Sequence, residues 1–294
     1  MKKAELAKKL IKENINIFMC PICKNKMVIE DLNSVVCLNK HCFDLSKNGY
    51  INLLLKSVKT EYDKKMLESR NIICKSGFFN TMTEQISNLI INELNKIGFG
   101  NIKILDAGCG EGSHLVDILY NLNNRTQTKF QGVGIDISKE GIQIASREYS
   151  NIIWCVADLA QNPFLNKQFN IVLNIFSPSN YSEFNRIIAD DGILIKVIPG
   201  SEYLCELRSV FYDKTNKHTY SNEKVLNHFS KNFNILDTQQ ILYSVRVNKE
   251  NLGHIIKMTP LSWGTSNENI EKVLKMDIKN ITVNLTVILG KKTN

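Results

Sequence analysis

A glycine-rich turn directly after an apolar run is the feature that most constrains the fold of this chain. Residues 104–113 read Ile-Leu-Asp-Ala-Gly-Cys-Gly-Glu-Gly-Ser, so glycine occupies positions 108, 110 and 112. Because glycine has no Cβ, the main chain at such a turn can pass within contact distance of a bound ligand. The pattern predicts a buried strand whose carboxyl end opens into a ligand cradle.

The spacing of this turn discriminates between two classes of ligand. A dinucleotide-binding loop reads G-x-G-x-x-G and opens a helix whose N-terminus faces a pyrophosphate. Here the third glycine, Gly112, comes one residue too early for that pattern, and Ser113 stands where the pattern has its third glycine. Asp106 and Glu111 add carboxylates, which suit a cationic amino-acid ligand better than a phosphate. S-adenosylmethionine fits this description. The residues of the turn predicted to bind it are Asp106, Gly108, Cys109, Gly110, Glu111, Gly112 and Ser113.

Two further acids follow predicted strands downstream of the turn. An apolar run over 130–135 ends at Asp136, followed by Ile137, and an acid at this place in doubly wound folds accepts hydrogen bonds from ribose hydroxyls. A third strand ends at Asp158, where it could meet the adenine amino group. Any one of these acids could instead be a solvated loop carboxylate. Three strand-end acids and the glycine turn, in this order, indicate a methyltransferase core.

The rest of the chain alternates between helical and strand patterns. Apolar residues at helical spacing predict a helix over 80–97. Further helices are predicted near 112–122, 138–149, 181–189 and 201–211, and strands near residues 102, 130, 152, 169 and 192. This alternation predicts an α/β, Rossmann-like methyltransferase fold with a mostly parallel sheet. The β-branched segments 233–247 and 278–289 predict an antiparallel pair that closes the sheet.

Four of the eight cysteines cluster near the amino terminus. Cys20 and Cys23 form a C-x-x-C pair, and Cys37 and His41 follow a short predicted hairpin. Three thiolates and one imidazole at this spacing are typical ligands of a structural zinc ion. Cys42, next to His41, is the alternative fourth ligand. A redox pair would need a helix that begins at Cys20, and a catalytic zinc would need a second acting residue, so structural zinc is favoured.

The charge balance favours an anionic partner. The formal net charge is +8, which suits nucleic acid, although a lysine-rich surface can be merely solvated. No run approaches the ~20 apolar residues of a membrane span, and residues 1–16 are too charged for a secretory signal. We therefore expect a soluble, cytoplasmic protein without membrane contact. Candidate phosphate contacts are Lys24, Lys26, Lys40, Lys47 and Lys56.

These patterns divide the chain into four predicted segments. A helical extension covers 1–16, a small zinc-binding β module 17–55, a linker 56–78 and the S-adenosylmethionine-dependent methyltransferase domain 79–294. Two copies of the chain could form a homodimer, and the sequence does not specify the oligomeric state.

Several motifs in order carry a family resemblance. They are the F-D-L-S-K-N-G-Y-I-N-L-L run over 43–54, the glycine turn, I-F-S-P over 175–178, the turn at 199–200 and M-T-P-L-S-W over 258–263. With the zinc pattern they span nearly the whole chain. The chain resembles the RlmA family of 23S rRNA (guanine-N1)-methyltransferases.

This resemblance implies methyl transfer from S-adenosylmethionine to guanine N1 in a domain II hairpin of 23S rRNA. It implies that the zinc module helps to bind the RNA. Phe79 and Tyr203 are implied to lie near the cofactor, at positions where other members carry Tyr and His. One branch of the family is linked to macrolide resistance, and the sequence does not choose the branch.

Guanine N1 chemistry sets requirements on the acceptor site. N1 carries a proton and faces its pairing partner, so the base must be unpaired or flipped out and then stacked. Phe176, after the fourth predicted strand, is the candidate platform, with Ser177 and Pro178 shaping the pocket. Core packing is the alternative role of Phe176. No residue identifies itself as the general base.

Two other functions stay open at this point. The chain could be a small-molecule methyltransferase whose zinc module covers the substrate. It could also be a non-catalytic, zinc-dependent RNA-binding protein.

Overall fold

The amino-terminal part of the chain forms a small β module. The computed structural model describes residues 3–31, 34–56, 58, 60–97, 100–212 and 222–293. Helix α1 (Lys3–Glu13) leads into a short 3-10 turn. Three antiparallel strands follow, β1 (Met27–Asp31), β2 (Ser34–Cys37) and β3 (Cys42–Asp44). The hairpin predicted between the two cysteine pairs is thus confirmed.

A single large sheet with helices on both sides makes up the rest of the fold. Its strands are β4 (Tyr50–Asn52), β5 (Asn101–Ala107), β6 (Lys129–Asp136), β7 (Ile153–Val156), β8 (Phe169–Ile175), β9 (Ile188–Pro199), β10 (Phe233–Arg246) and β11 (Asn280–Lys292). The helices around it are α2 (Lys64–Lys75), α3 (Asn80–Ile97), α4 (Ser113–Arg125), α5 (Lys139–Glu148), α6 (Tyr181–Ile187), α7 (Cys205–Phe211), α8 (Glu223–Ser230), α9 (Lys249–Met258) and α10 (Asn267–Lys275).

The order and direction of the strands determine which residues meet at one edge of the sheet. The sheet runs β10-β11-β9-β8-β5-β6-β7-β4. All neighbours from β9 to β4 are parallel, whereas β11 is antiparallel to both β9 and β10. The predicted mostly parallel sheet and its closing antiparallel pair are confirmed. Because the parallel strands share one carboxyl edge, the strand-end acids and the glycine turn meet there.

The core lies on both faces of this sheet because successive strand residues point to opposite sides. Leu105 and Val172 belong to the apolar cluster that includes α6. Ile104 and Ile171 belong to the opposite cluster, which includes α3 and α4. Strands buried on both faces explain why the sequence shows continuous apolar runs rather than alternation.

Two elements differ from the sequence expectation. Helix α7 begins at Cys205 rather than near 201, because residues 201–204 form a turn in which Leu204 adopts a left-handed φ of 53°. Strand β4, inside the predicted zinc module, pairs with β7 through Tyr50 and Trp154. The segment boundaries stay predictions. Across the described ranges, we find no helix with the length and apolarity needed to cross a bilayer.

Candidate active site

The glycine turn lies between β5 and α4 and is held in a conformation that requires glycine. Gly108, Gly110 and Gly112 have φ values of 86°, 57° and 89°. A Cβ added to Gly108 would lie 2.5 Å from the Cβ of Ser177. The turn therefore approaches the loop after β8 closely, and a side chain at Gly108 would close this space.

The two downstream acids flank a cavity that begins at this turn. Asp136 accepts hydrogen bonds from the Gly110 N–H at 2.7 Å and the Ser138 N–H at 2.8 Å. Asp158 accepts from the Ala160 N–H at 2.8 Å. Burial raises the pKa of Asp136, although these N–H donors oppose the shift. The cavity has a volume of about 750 Å³. Its lining includes Asp136, Ile137 and Asp158 together with Gly108 and Gly110.

The other predicted residues of the turn lie behind it, outside the lining of this cavity. Glu111 accepts hydrogen bonds from the Asn71 amide at 3.0 Å and the Ser113 hydroxyl at 2.5 Å. Cys109 and Gly112 are buried as well. Their direct contact with a cofactor stays a prediction, and in the structure these residues brace the turn.

Asp106 is a buried carboxylate without a complete set of partners. Its Oδ1 atom has no hydrogen-bond partner in the part of the chain that the structure describes. Burial and the nearby charge of Asp136 raise the pKa of Asp106 to about 8. Such a group is costly to bury unless it is neutral or receives a donor. A cationic ligand close to the turn would stabilise its charged form.

A second, larger cavity of about 950 Å³ adjoins the first. Phe176, Ser177 and Pro178 line both cavities, so the predicted base-pocket residues form a shared wall. Phe79 and Tyr203, implied by the resemblance to lie near the cofactor, line the larger cavity. Their roles stay predictions.

Phe176 is held in a strained position within an aromatic cluster. It is a non-glycine residue with a left-handed φ of 53°, a conformation that persists only where the surroundings enforce it. Its ring stacks on Tyr203 at 5.8 Å with an interplanar angle of 27°, and it contacts Phe79 and buried His114. Burial lowers the pKa of His114. The ring of Phe176 is half-buried and so combines core contacts with exposure to both cavities.

Sequence reasoning missed three polar residues of this site. Lys196, on β9, donates to Asn174 Oδ1 at 2.6 Å and to Ser179 Oγ at 2.7 Å. Burial lowers the pKa of Lys196 to about 8. Asn174 also donates to the Ala107 carbonyl, which joins the acceptor loop to the strand before the glycine turn. A lysine and an asparagine inside apolar strands were the available signal, whereas Arg70 on α2 gave none.

The predicted zinc ligands lie together in the amino-terminal module. One ligand atom from each of Cys20, Cys23, Cys37 and His41 lies within 4.8 Å of the others. The Nδ1 atom of His41 is 3.6 Å from the Cys20 sulfur and 3.4 Å from the Cys37 sulfur. Cys42 is exposed and lies beside Asp44 instead. The donor set fits a zinc ion held by three thiolates and one imidazole, as predicted.

The lining of the smaller cavity, which we call the cofactor cavity, likewise fits S-adenosylmethionine. Gly108 and Gly110 line the cavity with main chain, and Asp136 and Asp158 supply two acids to the same lining. A cationic ligand near the turn would stabilise the charge of Asp106, whose Oδ1 atom has no hydrogen-bond partner among the described residues. The described residues thus supply the features that this cofactor requires.

Comparisons with known proteins agree with this geometry. A family model described as RlmA, N-terminal, matches residues 18–59, and a model described as Methyltransferase domain matches 104–190. The 23S rRNA (guanine(748)-N(1))-methyltransferase of Streptomyces fradiae is 26% identical over 86% of this chain and 88% of its own length. YxjB of Bacillus subtilis (strain 168), provisionally named a 23S rRNA (guanine-N(1)-)-methyltransferase, is 38% identical over 95% of this chain and 98% of its own length. The chain therefore belongs to the RlmA family and is an S-adenosylmethionine-dependent methyltransferase.

Proposed function

We propose that this chain transfers the methyl group of S-adenosylmethionine to N1 of a guanine in 23S rRNA. The names of the two relatives support this reaction. The observation that carries the proposal is the pair of adjoining cavities, which share Phe176, Ser177 and Pro178 as one wall. A base in the larger cavity would therefore lie beside a cofactor in the smaller one, with these three residues in contact with both.

The lining of the larger cavity suits a flipped nucleotide. Phe176 offers aromatic surface for a base, and the exposed Lys224 offers positive charge for the phosphates beside it. We place the target in a domain II hairpin, as the family resemblance implies, and the enzyme in the cytoplasm with the ribosome. The zinc module supplies further RNA contacts. A homodimer stays an expectation.

The cofactor supplies an activated sulfonium methyl group, so the protein must mainly orient the base and remove the N1 proton. Among the described residues, the larger cavity is lined by no aspartate or glutamate. Lys196 is our candidate for the proton acceptor, because this residue lines the cavity and burial lowers its pKa to about 8. The neutral amine can take the proton from N1 and release it to solvent.

The experiment is methyl transfer with purified components. The protein is incubated with methyl-labelled S-adenosylmethionine and 23S rRNA from a strain that lacks the gene, and the RNA is digested to nucleosides. We expect the label in 1-methylguanosine. Label in a small molecule instead would favour a small-molecule methyltransferase, and RNA binding without label would favour a non-catalytic protein. Either result would overturn the proposal.

A further inference from the structure

Arg70 is a positively charged side chain that lines both cavities and has no salt-bridge partner in the described part of the chain. It lies on α2 and is half-buried. Among the described residues it forms no hydrogen bond or salt bridge, and its guanidinium carbon lies 5.9 Å from the centre of the Phe176 ring. Because no described residue accepts from its five N–H donors, an anionic ligand in either cavity could accept hydrogen bonds from the Arg70 guanidinium.

The Arg70 side chain lies in the cavities, next to the glycine turn. It lines both cavities. Its Nη1 atom lies 3.8 Å from the point where a Cβ of Gly110 would stand. The guanidinium therefore lies close to the glycine turn. The charge of Arg70 also opposes the rise in the pKa of Asp106 and of Asp136, which places it within electrostatic range of both acids.

The residues that line the smaller cavity carry charges of both signs. Asp136 and Asp158, which suit the ribose and adenine, line it together with Arg70. Arg70 also lines the larger cavity, as Phe79 and Tyr203 do. A ligand that spans the turn would therefore present its adenosine to the acids and its opposite end to a cation. The opposite end of S-adenosylmethionine is an α-amino acid, whose carboxylate is its one anionic group.

We propose that Arg70 binds the α-carboxylate of the methionine part of S-adenosylmethionine. A guanidinium is suited to this task because its planar N–H groups match the two carboxylate oxygens. The buried Asp106 beneath the turn complements the ammonium of the same amino acid. Opposite charges would then discriminate a zwitterionic cofactor from analogues that lack the carboxylate.

Isothermal titration of the full chain with two ligands tests this assignment. The ligands are S-adenosylmethionine and its decarboxylated analogue, which keeps the adenosine, the sulfonium and the amine. We expect the wild-type protein to bind the decarboxylated analogue about 10- to 100-fold more weakly, the effect of one charge-assisted contact. This comparison needs no variant, and equal affinities would overturn the proposal.

The variant Arg70→Met separates the carboxylate contact from other roles. It should lose the same factor in affinity for S-adenosylmethionine and leave the affinity for the decarboxylated analogue unchanged. Arg70→Lys should keep part of the discrimination, and Arg125→Met, at an exposed position on α4, should keep all of it. An equal loss for both ligands, or a loss confined to RNA binding, would contradict the assignment. The proposal rests on S-adenosylmethionine as the cofactor, so failure of the wild-type protein to bind it would instead refute the proposed function.

Discussion

At the scale of single residues, a buried polar network joins the two halves of the site. Asn174 donates to the Ala107 carbonyl and accepts from Lys196 and Ser179. The loop that carries Ser177 and Pro178 is thereby tied to the strand that leads into the glycine turn. Because these groups are buried, each lost hydrogen bond would leave a costly unsatisfied atom. The network fixes the shared wall of the two cavities.

Lys196→Met tests the proton-acceptor role of this network. Since the neutral amine is the active form and the pKa of Lys196 is lowered to about 8, the wild-type rate of methyl transfer should rise with pH and level off above about pH 8. The variant should be slower by roughly 100-fold and should lose this inflection. Single-turnover rates with labelled cofactor over a pH series provide the measurement.

Lys224→Met is the matched control, because Lys224 lines the same cavity but is exposed. It should weaken RNA binding and keep the inflection near pH 8. A Lys196→Met enzyme that retains the wild-type pH profile would show that another group accepts the proton. Affinity for S-adenosylmethionine should be unchanged in Lys224→Met, which leaves the buried network intact.

At the scale of elements, the strand-to-turn junction after β5 accepts only glycine at position 108. Gly108→Ala would force an alanine into a left-handed φ and press its Cβ against Ser177. We expect the free energy of unfolding to fall by about 2–4 kcal/mol and cofactor binding to be lost. Urea denaturation and titration with S-adenosylmethionine would measure the two effects.

Gly253→Ala is the control for this prediction. Gly253 lies inside helix α9, and no atom stands within 4 Å of an added Cβ. Alanine should raise the free energy of unfolding by about 0.5–1 kcal/mol, because it has the higher helix propensity. Cofactor affinity should not change. A Gly108→Ala protein that binds the cofactor as well as Gly253→Ala would refute the close approach at the turn.

The elements were predictable where a local pattern determines them. Helix α3 and the β10–β11 pair followed from apolar periodicity, and the glycine turn followed from its spacing. Strand β4 was not assigned to the large sheet, because three residues that pair with β7 carry no local signal of their partner. The role of Arg70 was also hidden, since its helix α2 carries several charges and only the tertiary fold shows which one faces the cavities.

At the scale of the whole molecule, the zinc module is joined to the methyltransferase sheet by main-chain contacts. Strand β4, near the carboxyl end of the predicted module, pairs with β7, and Phe18 forms an isolated bridge with Phe164. The Met19 N–H also donates to the Pro163 carbonyl at 2.8 Å. RNA held by the module would thus be presented in a defined relation to the cavities.

Cys37→Ser tests whether the zinc module binds RNA while the sheet binds the cofactor. Loss of one thiolate should abolish stoichiometric zinc binding, because the remaining donors are incomplete. RNA affinity should fall, because the module depends on the bound metal for its folded shape. Binding of S-adenosylmethionine should persist, since the cofactor cavity is built from other elements. Metal analysis and RNA titration would measure these effects.

Cys42→Ser provides the comparison, because Cys42 is exposed and lies outside the ligand cluster. This variant should keep its zinc and its RNA affinity. Full zinc content in Cys37→Ser, or zinc loss in Cys42→Ser, would contradict the ligand set.

The enzyme that we propose methylates N1 of one guanine in 23S rRNA. Reverse transcription along 23S rRNA from cells with and without the gene tests it most directly, because a methyl group on N1 blocks base pairing. We predict a strong stop next to a single guanine of a domain II hairpin, present only when the gene is intact. Identical stop patterns in the two strains would contradict the account.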